Sequence, residues 1–204
     1  MNRLFLAVSL FAALSVPASA ATLIRSYSYF TVRGNSLPEI EHQLHTQGPQ
    51  IDGSVERHPG ATNMEFTSKV RYREADGRCS VDDVQVTVRA HVILPRWRDW
   101  RRADQELRII WDTLASDIKR HEESHMSIAK NHARMLEDSL RALPRMRSCE
   151  DLADKVEIVT DRALARHDDE QNEFDRIETI NFESRIERLL NYRLEQIEAG
   201  RIRY

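Results

Sequence analysis

The sequence lacks any apolar run long enough to cross a membrane. Its longest run, Leu4 to Val16, contains two serines and falls short of the roughly 20 residues that a spanning helix needs. Arg3 precedes the run, and the small residues Pro17-Ala18-Ser19-Ala20 follow it, which is the pattern of a signal peptide with its cleavage site. We therefore predict that residues 1–20 are removed and that the mature chain, from Ala21, is periplasmic or secreted without a stable membrane anchor.

An excess of positive charge is also missing. The chain has 30 Lys and Arg against 33 Asp and Glu, which gives a net charge of −3. Loss of Arg3 with the signal peptide makes the mature charge −3 − 1 = −4. This balance argues against general nucleic-acid binding, and we expect no nucleic-acid partner. The oligomeric state cannot be read from the sequence.

Cysteine is scarce, with only Cys79 and Cys149 present. Their spacing does not match a metal-binding signature, and two cysteines in an oxidising compartment most simply form one disulfide. That bond would close a loop of 149 − 79 = 70 residues and contribute about 4 kcal/mol by the loop-entropy model. We predict a Cys79–Cys149 disulfide.

The remaining sequence divides into two parts, without repeats or low-complexity segments. Residues from about 21 to 98 alternate apolar and polar positions around an Asp76-Gly77 turn, as expected for strands and a hairpin, with a short helix that ends at Gly48-Pro49. From about 99 to 204 the apolar residues recur at helical spacing. We predict a single α+β domain over residues 21–204. A small antiparallel sheet packs against two long C-terminal helices, and we allow for a bend in the second helix.

The first long helix contains the sequence His121-Glu122-Glu123-Ser124-His125, which is an H-E-x-x-H motif. Residues i and i+4 of a helix lie about 6 Å apart on one face, so two imidazoles can bind one Zn²⁺. Glu122 lies beside such a metal and is placed to act as general base towards a metal-activated water. Both histidines share a stripe with the apolar residues of the helix, which favours a metal site over two buried structural histidines.

A third ligand must come from elsewhere, and the last helix is the best source. On its apolar stripe His167 and Glu170 interrupt the hydrophobic residues, and Glu178 lies near them. The helical stripe therefore favours His167 or Glu170 as the ligand, unless these are surface groups where the stripe frays. His132 also lies on the motif face, but it is about 10 Å beyond His125 along the helix, so we predict a core or supporting role for it.

Several features resemble a secreted bacterial family predicted to be zinc-dependent proteases, domain of unknown function 922. The matching features are Cys79 at the start of a strand, Leu94-Pro95-Arg96-Trp97 at its end, the motif from Arg120 to His125, Cys149 in a loop, and Phe174-Asp175 in the last helix. The resemblance implies a zincin-like H-E-x-x-H helix and makes Asp175 the first choice as third ligand, ahead of Glu170, Glu178 and His167. The family's His-Gly after the aromatic-Asp pair is absent here.

These observations together predict a zinc metallopeptidase. Zn²⁺ would be held by His121, His125 and Asp175, Glu122 would be catalytic, and the substrate would be a peptide or protein. The alternatives are a non-catalytic binding module of the cell envelope and an inactive metal-binding relative. The sequence names neither a substrate nor a cleavage specificity.

Overall fold

The computed structural model describes residues 21–51 and 56–204, so the predicted signal peptide, residues 1–20, lies outside the described residues. The fold is α+β, as predicted. Its elements follow in the order β1 (Thr22–Val32), α1 (Leu37–Gln47), β2 (Ala61–Ala75), β3 (Arg78–Trp97), α2 (Gln105–Arg141), α3 (Cys149–Ile180) and α4 (Phe182–Glu198). Among the described residues, no helix is long and apolar enough to cross a membrane.

The sheet is mixed, which corrects our prediction of an antiparallel sheet. The strands lie in the order β1-β3-β2. The predicted hairpin is confirmed, because β2 and β3 pair antiparallel through a turn in which Asp76 and Gly77 both have positive φ, 55° and 68°. β1 instead pairs parallel with β3, from Thr22 opposite Thr87 to Val32 opposite Trp97. A parallel pair needs a long crossover connection, and here α1 and the whole of β2 separate the two strands.

The core lies between β3 and α2. Alternate side chains of β3 are buried on the face that α2 covers, which confirms the period-2 pattern of the sequence. They pack against the apolar stripe of α2 at Ala129, Ala133, Leu136 and Leu140 in one cluster, and at Ile118 and Met126 in another. Since the stripe runs through the motif, the same packing fixes the rotation of the H-E-x-x-H segment about the helix axis.

The last helix is divided at Asn181 rather than bent. Asn181 has φ −94° and ψ 3°, and both its backbone N–H and its side-chain amide donate to the Ile177 carbonyl, at 3.1 and 2.8 Å. The next carbonyl, that of Glu178, which the Phe182 N–H of a continuing helix would use, accepts from Arg185 Nη1 at 3.1 Å. Beyond the break α4 packs on α2, where Arg185 meets Asp117 at 3.1 Å.

The predicted disulfide is present. Cys79 at the start of β3 is bonded to Cys149 at the start of α3. The two backbones are also held together beside it, because Cys79 and Met146 exchange N–H to carbonyl hydrogen bonds of 3.0 and 2.8 Å. The bridge therefore ties the sheet to the connection between the two long helices.

Candidate metal centre

Three side chains from two helices converge on one point. His121 and His125 lie one turn apart in α2, and their Nε2 atoms are 3.1 Å from each other. Asp175 of α3 lies opposite, with Oδ1 3.1 Å from His121 Nε2 and 3.0 Å from His125 Nε2. Within residues 21–51 and 56–204 these three form the only group of His, Cys, Asp and Glu that could hold a metal ion.

The donor set and its spacing fit Zn²⁺. Two imidazole nitrogens and a carboxylate oxygen are ligands that zinc takes in catalytic sites. Bonds of about 2.0–2.1 Å in tetrahedral geometry put neighbouring ligand atoms about 3.3–3.4 Å apart, close to the 3.0 and 3.1 Å between these atoms. Side-chain exposure rises from 12% at His125 to 26% at His121 and 52% at Asp175, so the group is open to solvent on the Asp175 side.

The charges at this point are strongly coupled. Burial would raise the pKa of the Asp175 carboxyl, but hydrogen bonds from His121 and His125 outweigh it and hold that pKa well below its usual range. For His125, burial lowers the pKa of the imidazole, yet hydrogen bonds to Asp175 and Gln171 leave it raised. Phe174 covers both rings, with centroids 5.0 Å from His121 and 5.1 Å from His125.

The other ring nitrogen of each histidine has its own partner on α3. His121 Nδ1 lies 3.4 Å from Glu178 Oε2, and Glu178 also receives Arg120 and, at 3.4 Å, Arg185 of α4. His125 Nδ1 contacts Gln171 Oε1. Such outer partners orient metal-binding imidazoles, so α3 supplies both a candidate ligand and the groups that hold the other two.

Glu122 points towards the sheet, about 100° round the helix from His121. Its carboxylate Oε2 accepts a hydrogen bond of 2.7 Å from the Thr62 hydroxyl. Burial raises the pKa of Glu122, while the Thr62 hydrogen bond and the nearby imidazoles lower it, and the net direction is upward. Across the described chain no hydrogen bond engages Oε1, which leaves that oxygen able to take a proton.

Close approach of the backbone at Gly60 completes the surroundings of Glu122. A Cβ at this position would lie 2.7 Å from Glu122 Oε1 and 2.8 Å from Ile118 Cγ2. Only glycine therefore fits there without moving the carboxylate. The glycine is required by space and not by a left-handed backbone conformation.

The other candidates for third ligand lie elsewhere. Glu170 bonds His132 at 2.7 Å, and His167 lies between Gln171 and Asp168, at 2.8 and 3.0 Å. Of the three candidate ligands, Glu178 contacts His121, at Nδ1. His132 is buried, which agrees with the core position that was one of the two predicted for it.

Sequence reasoning missed Gln171, Thr62 and Gly60. An amide on the buried face of α3 is a weak signal, although Gln171 lies four residues, about one turn, before Asp175. Thr62 and Gly60 reach Glu122 across about 60 residues of chain, and no local pattern encodes that contact.

The chain belongs to a bacterial protein family of unknown function, DUF922, whose model matches residues 27–182. The matched region contains the motif, Gln171 and Asp175, and it ends as α4 begins. Comparison with curated proteins and with solved structures found no match.

Proposed function

We propose that this protein is a zinc-dependent hydrolase, most specifically a peptidase. The observation that carries the proposal is the convergence of His121 Nε2, His125 Nε2 and Asp175 Oδ1 at 3.0–3.1 Å beside the buried carboxylate of Glu122. The choice of a peptide bond rests on the similarity of the motif to that of zinc peptidases. The substrate is then a peptide or protein.

Each residue has a definite part in this proposal. His121, His125 and Asp175 bind the metal, which when bound supplies Lewis acidity and lowers the pKa of water. Glu122 is the general base, taking a proton on Oε1 and returning it to the leaving amine. Its raised pKa makes it a stronger base than an exposed carboxylate. Thr62 and Gly60 hold it in position.

We further propose that the protein acts in the periplasm or outside the cell. The Cys79–Cys149 disulfide supports this, because such bonds persist in oxidising compartments. The signal-peptide pattern of residues 1–20 supports it independently.

A second candidate function is that of a binding module of the cell envelope. A groove of about 670 Å³ lies between β1 and α2. Glu123 in this groove is two residues from His121, hence about 200° round the helix, so the groove and the metal centre face different sides of α2. Its lining combines aromatic and charged groups, among them Arg25, Tyr27, Tyr29, Lys119 and Arg193.

The substitution Glu122→Gln separates the two functions. The amide keeps the size of the side chain but cannot take a proton. We expect the variant to bind one zinc per chain and to keep the wild-type melting temperature. Its hydrolysis of an unfolded protein such as casein should fall about 10²-fold or more. Glu123→Gln is the matched control and should retain hydrolysis. The binding module would be favoured if wild-type protein bound zinc but hydrolysed nothing, or if Glu122→Gln left its hydrolysis unchanged.

A further inference from the structure

The hydrogen bonds around Gln171 have only one consistent direction. Its side chain is buried between α2 and α3, and its amide nitrogen lies 3.2 Å from the backbone carbonyl of His125. A carbonyl only accepts, so the –NH₂ group must be on this side and Oε1 must face His125 Nδ1. The amide orientation is thus fixed by chemistry, since the opposite orientation would place two oxygens against each other.

The orientation of Gln171 determines where His125 carries its proton. Oε1 can only accept, so His125 Nδ1 must be the donor. His125 Nε2 then faces the point shared with His121 and Asp175, where its lone pair would bind a metal and where, without a metal, a second proton is donated to Asp175. A proton on Nδ1 is what a histidine that binds zinc through Nε2 needs.

The same reasoning extends one residue outwards to His167. The second amide hydrogen of Gln171 points to His167 Nε2 at 2.8 Å, so that nitrogen must accept. His167 therefore carries its proton on Nδ1, where the Asp168 carboxylate accepts it at 3.0 Å. The hydrogen bonds that link Asp168, His167, Gln171 and His125 therefore have fixed directions, because the Asp168 carboxylate and the His125 carbonyl can only accept.

We propose that Gln171, held by His167 and Asp168, is the positioning residue that fixes the metal-binding tautomer of His125. His167 is then a support of the site rather than a ligand. The inference rests on the proposed metal site for its purpose, whereas the protonation pattern can be measured in the metal-free protein.

The test begins with nitrogen-15 NMR of the histidine rings in metal-free wild-type protein. We expect a proton on Nδ1 of both His125 and His167, with any second proton of His125 on Nε2, facing Asp175. His125 protonated on Nε2 alone would overturn the proposal without any variant. If the wild type bound no zinc, the proposed function would fail while this spectrum still decided the present inference.

Two substitutions of Gln171 give opposite expectations. Gln171→Leu removes the acceptor, so His125 should move its proton to Nε2, facing Asp175, and zinc affinity in a chelator competition should fall about 10–100-fold. Gln171→Glu keeps an acceptor for His125 Nδ1 but loses both donors, the one to His167 and the one to the His125 carbonyl. In that variant His125 should keep its tautomer and most of its zinc affinity, while His167 moves its proton to Nε2.

The matched control is Asn172→Leu, the same change from amide to leucine at the neighbouring exposed position of α3. It should leave both tautomers and the zinc affinity at wild-type values. Equal loss of zinc affinity in Gln171→Leu and Gln171→Glu, or wild-type affinity in Gln171→Leu, would overturn the proposal. If the leucine variant does not fold, the wild-type and glutamate spectra still decide it.

Discussion

A single carboxylate oxygen, Asp175 Oδ1, faces both imidazoles of the motif at 3.0 and 3.1 Å. In the metal-free protein it accepts from whichever ring is protonated. The carboxylate therefore stabilises a protonated imidazole, whereas bound zinc would displace that proton. Protons and the proposed zinc would bind the same three atoms, and the protons alone make the stability of the metal-free protein depend on pH.

We predict that Asp175→Asn destabilises the metal-free protein most at mildly acid pH. The depressed pKa of Asp175 gives stability that is present above about pH 4 and lost as pH falls. The raised pKa of His125 gives stability that is fully present below about pH 6.5 and lost as pH rises through the folded value. The pair therefore contributes most between these limits.

Thermal unfolding of wild type and Asp175→Asn in chelator checks this at pH 5.5 and pH 9. Asp175 is half-exposed, so solvent screening limits the effect to about 1 kcal/mol or less, which is roughly 2–4 °C at pH 5.5. The loss should be smaller at pH 9. The same loss at both pH values would contradict the account of this pair.

Gly60 tests how tightly Glu122 is held. Gly60→Ala should cost about 1–3 kcal/mol of unfolding free energy, because the new methyl group overlaps Glu122 and Ile118. Urea unfolding measures this, with Asn63→Ala at an exposed position of β2 as the near-neutral control. Zinc affinity should stay unchanged, since Glu122 is not a ligand. Stability equal to wild type would show that the carboxylate is free to move.

At the scale of elements, α2 replaces a missing strand along part of β3. β1 pairs with β3 only from Thr87 onwards. Just before that point the Val86 N–H donates to Glu137 at 3.1 Å, and the Val84 carbonyl accepts from Arg141 at 2.9 Å. Two side chains of α2 thus satisfy the backbone groups that a longer β1 would have paired.

Glu137→Ala should therefore be strongly destabilising. It leaves a buried N–H and the Arg141 guanidinium without this carboxylate, and we expect a loss of about 3 kcal/mol or more in urea unfolding. Asp138→Ala is the matched control, because Asp138 is 81% exposed and lies 3.9 Å from the same arginine. Its loss should stay below about 1 kcal/mol. Similar losses in the two variants would mean that Glu137 does not support the strand.

Element types followed from the sequence where the pattern is local. The alternation along β3 and the apolar stripe of α2 both depend on residues a few positions apart, and both are found. The parallel partner of β1 was missed, because pairing depends on residues some 65 positions away. The break at Asn181 was missed for a different reason: the apolar spacing stays helical across it, and the side-chain hydrogen bonds of Asn181 and Arg185 to nearby carbonyls leave no mark in that spacing.

At the scale of the whole molecule, the part of the candidate site that depends on local spacing could be predicted, and the part that depends on distant contacts could not. His121, Glu122 and His125 are one helical turn and could be recognised from their spacing. Asp175 was favoured over His167 and Glu170 by family resemblance and not by the stripe of α3. The contacts that Gln171, Thr62 and Gly60 make with the motif form only when α3 and β2 pack on α2. No sequence pattern could therefore have predicted them.

The central claim is that three side chains on two packed helices form one zinc site. Mature protein stripped with chelator and titrated with Zn²⁺ tests it most directly, using equilibrium dialysis and elemental analysis of wild type, His121→Ala and, as an unrelated histidine, His42→Ala. We expect about one zinc per chain in wild type and His42→Ala and a near-complete loss in His121→Ala. Wild-type protein that retains no zinc, or His121→Ala protein that retains as much as wild type, would contradict the account.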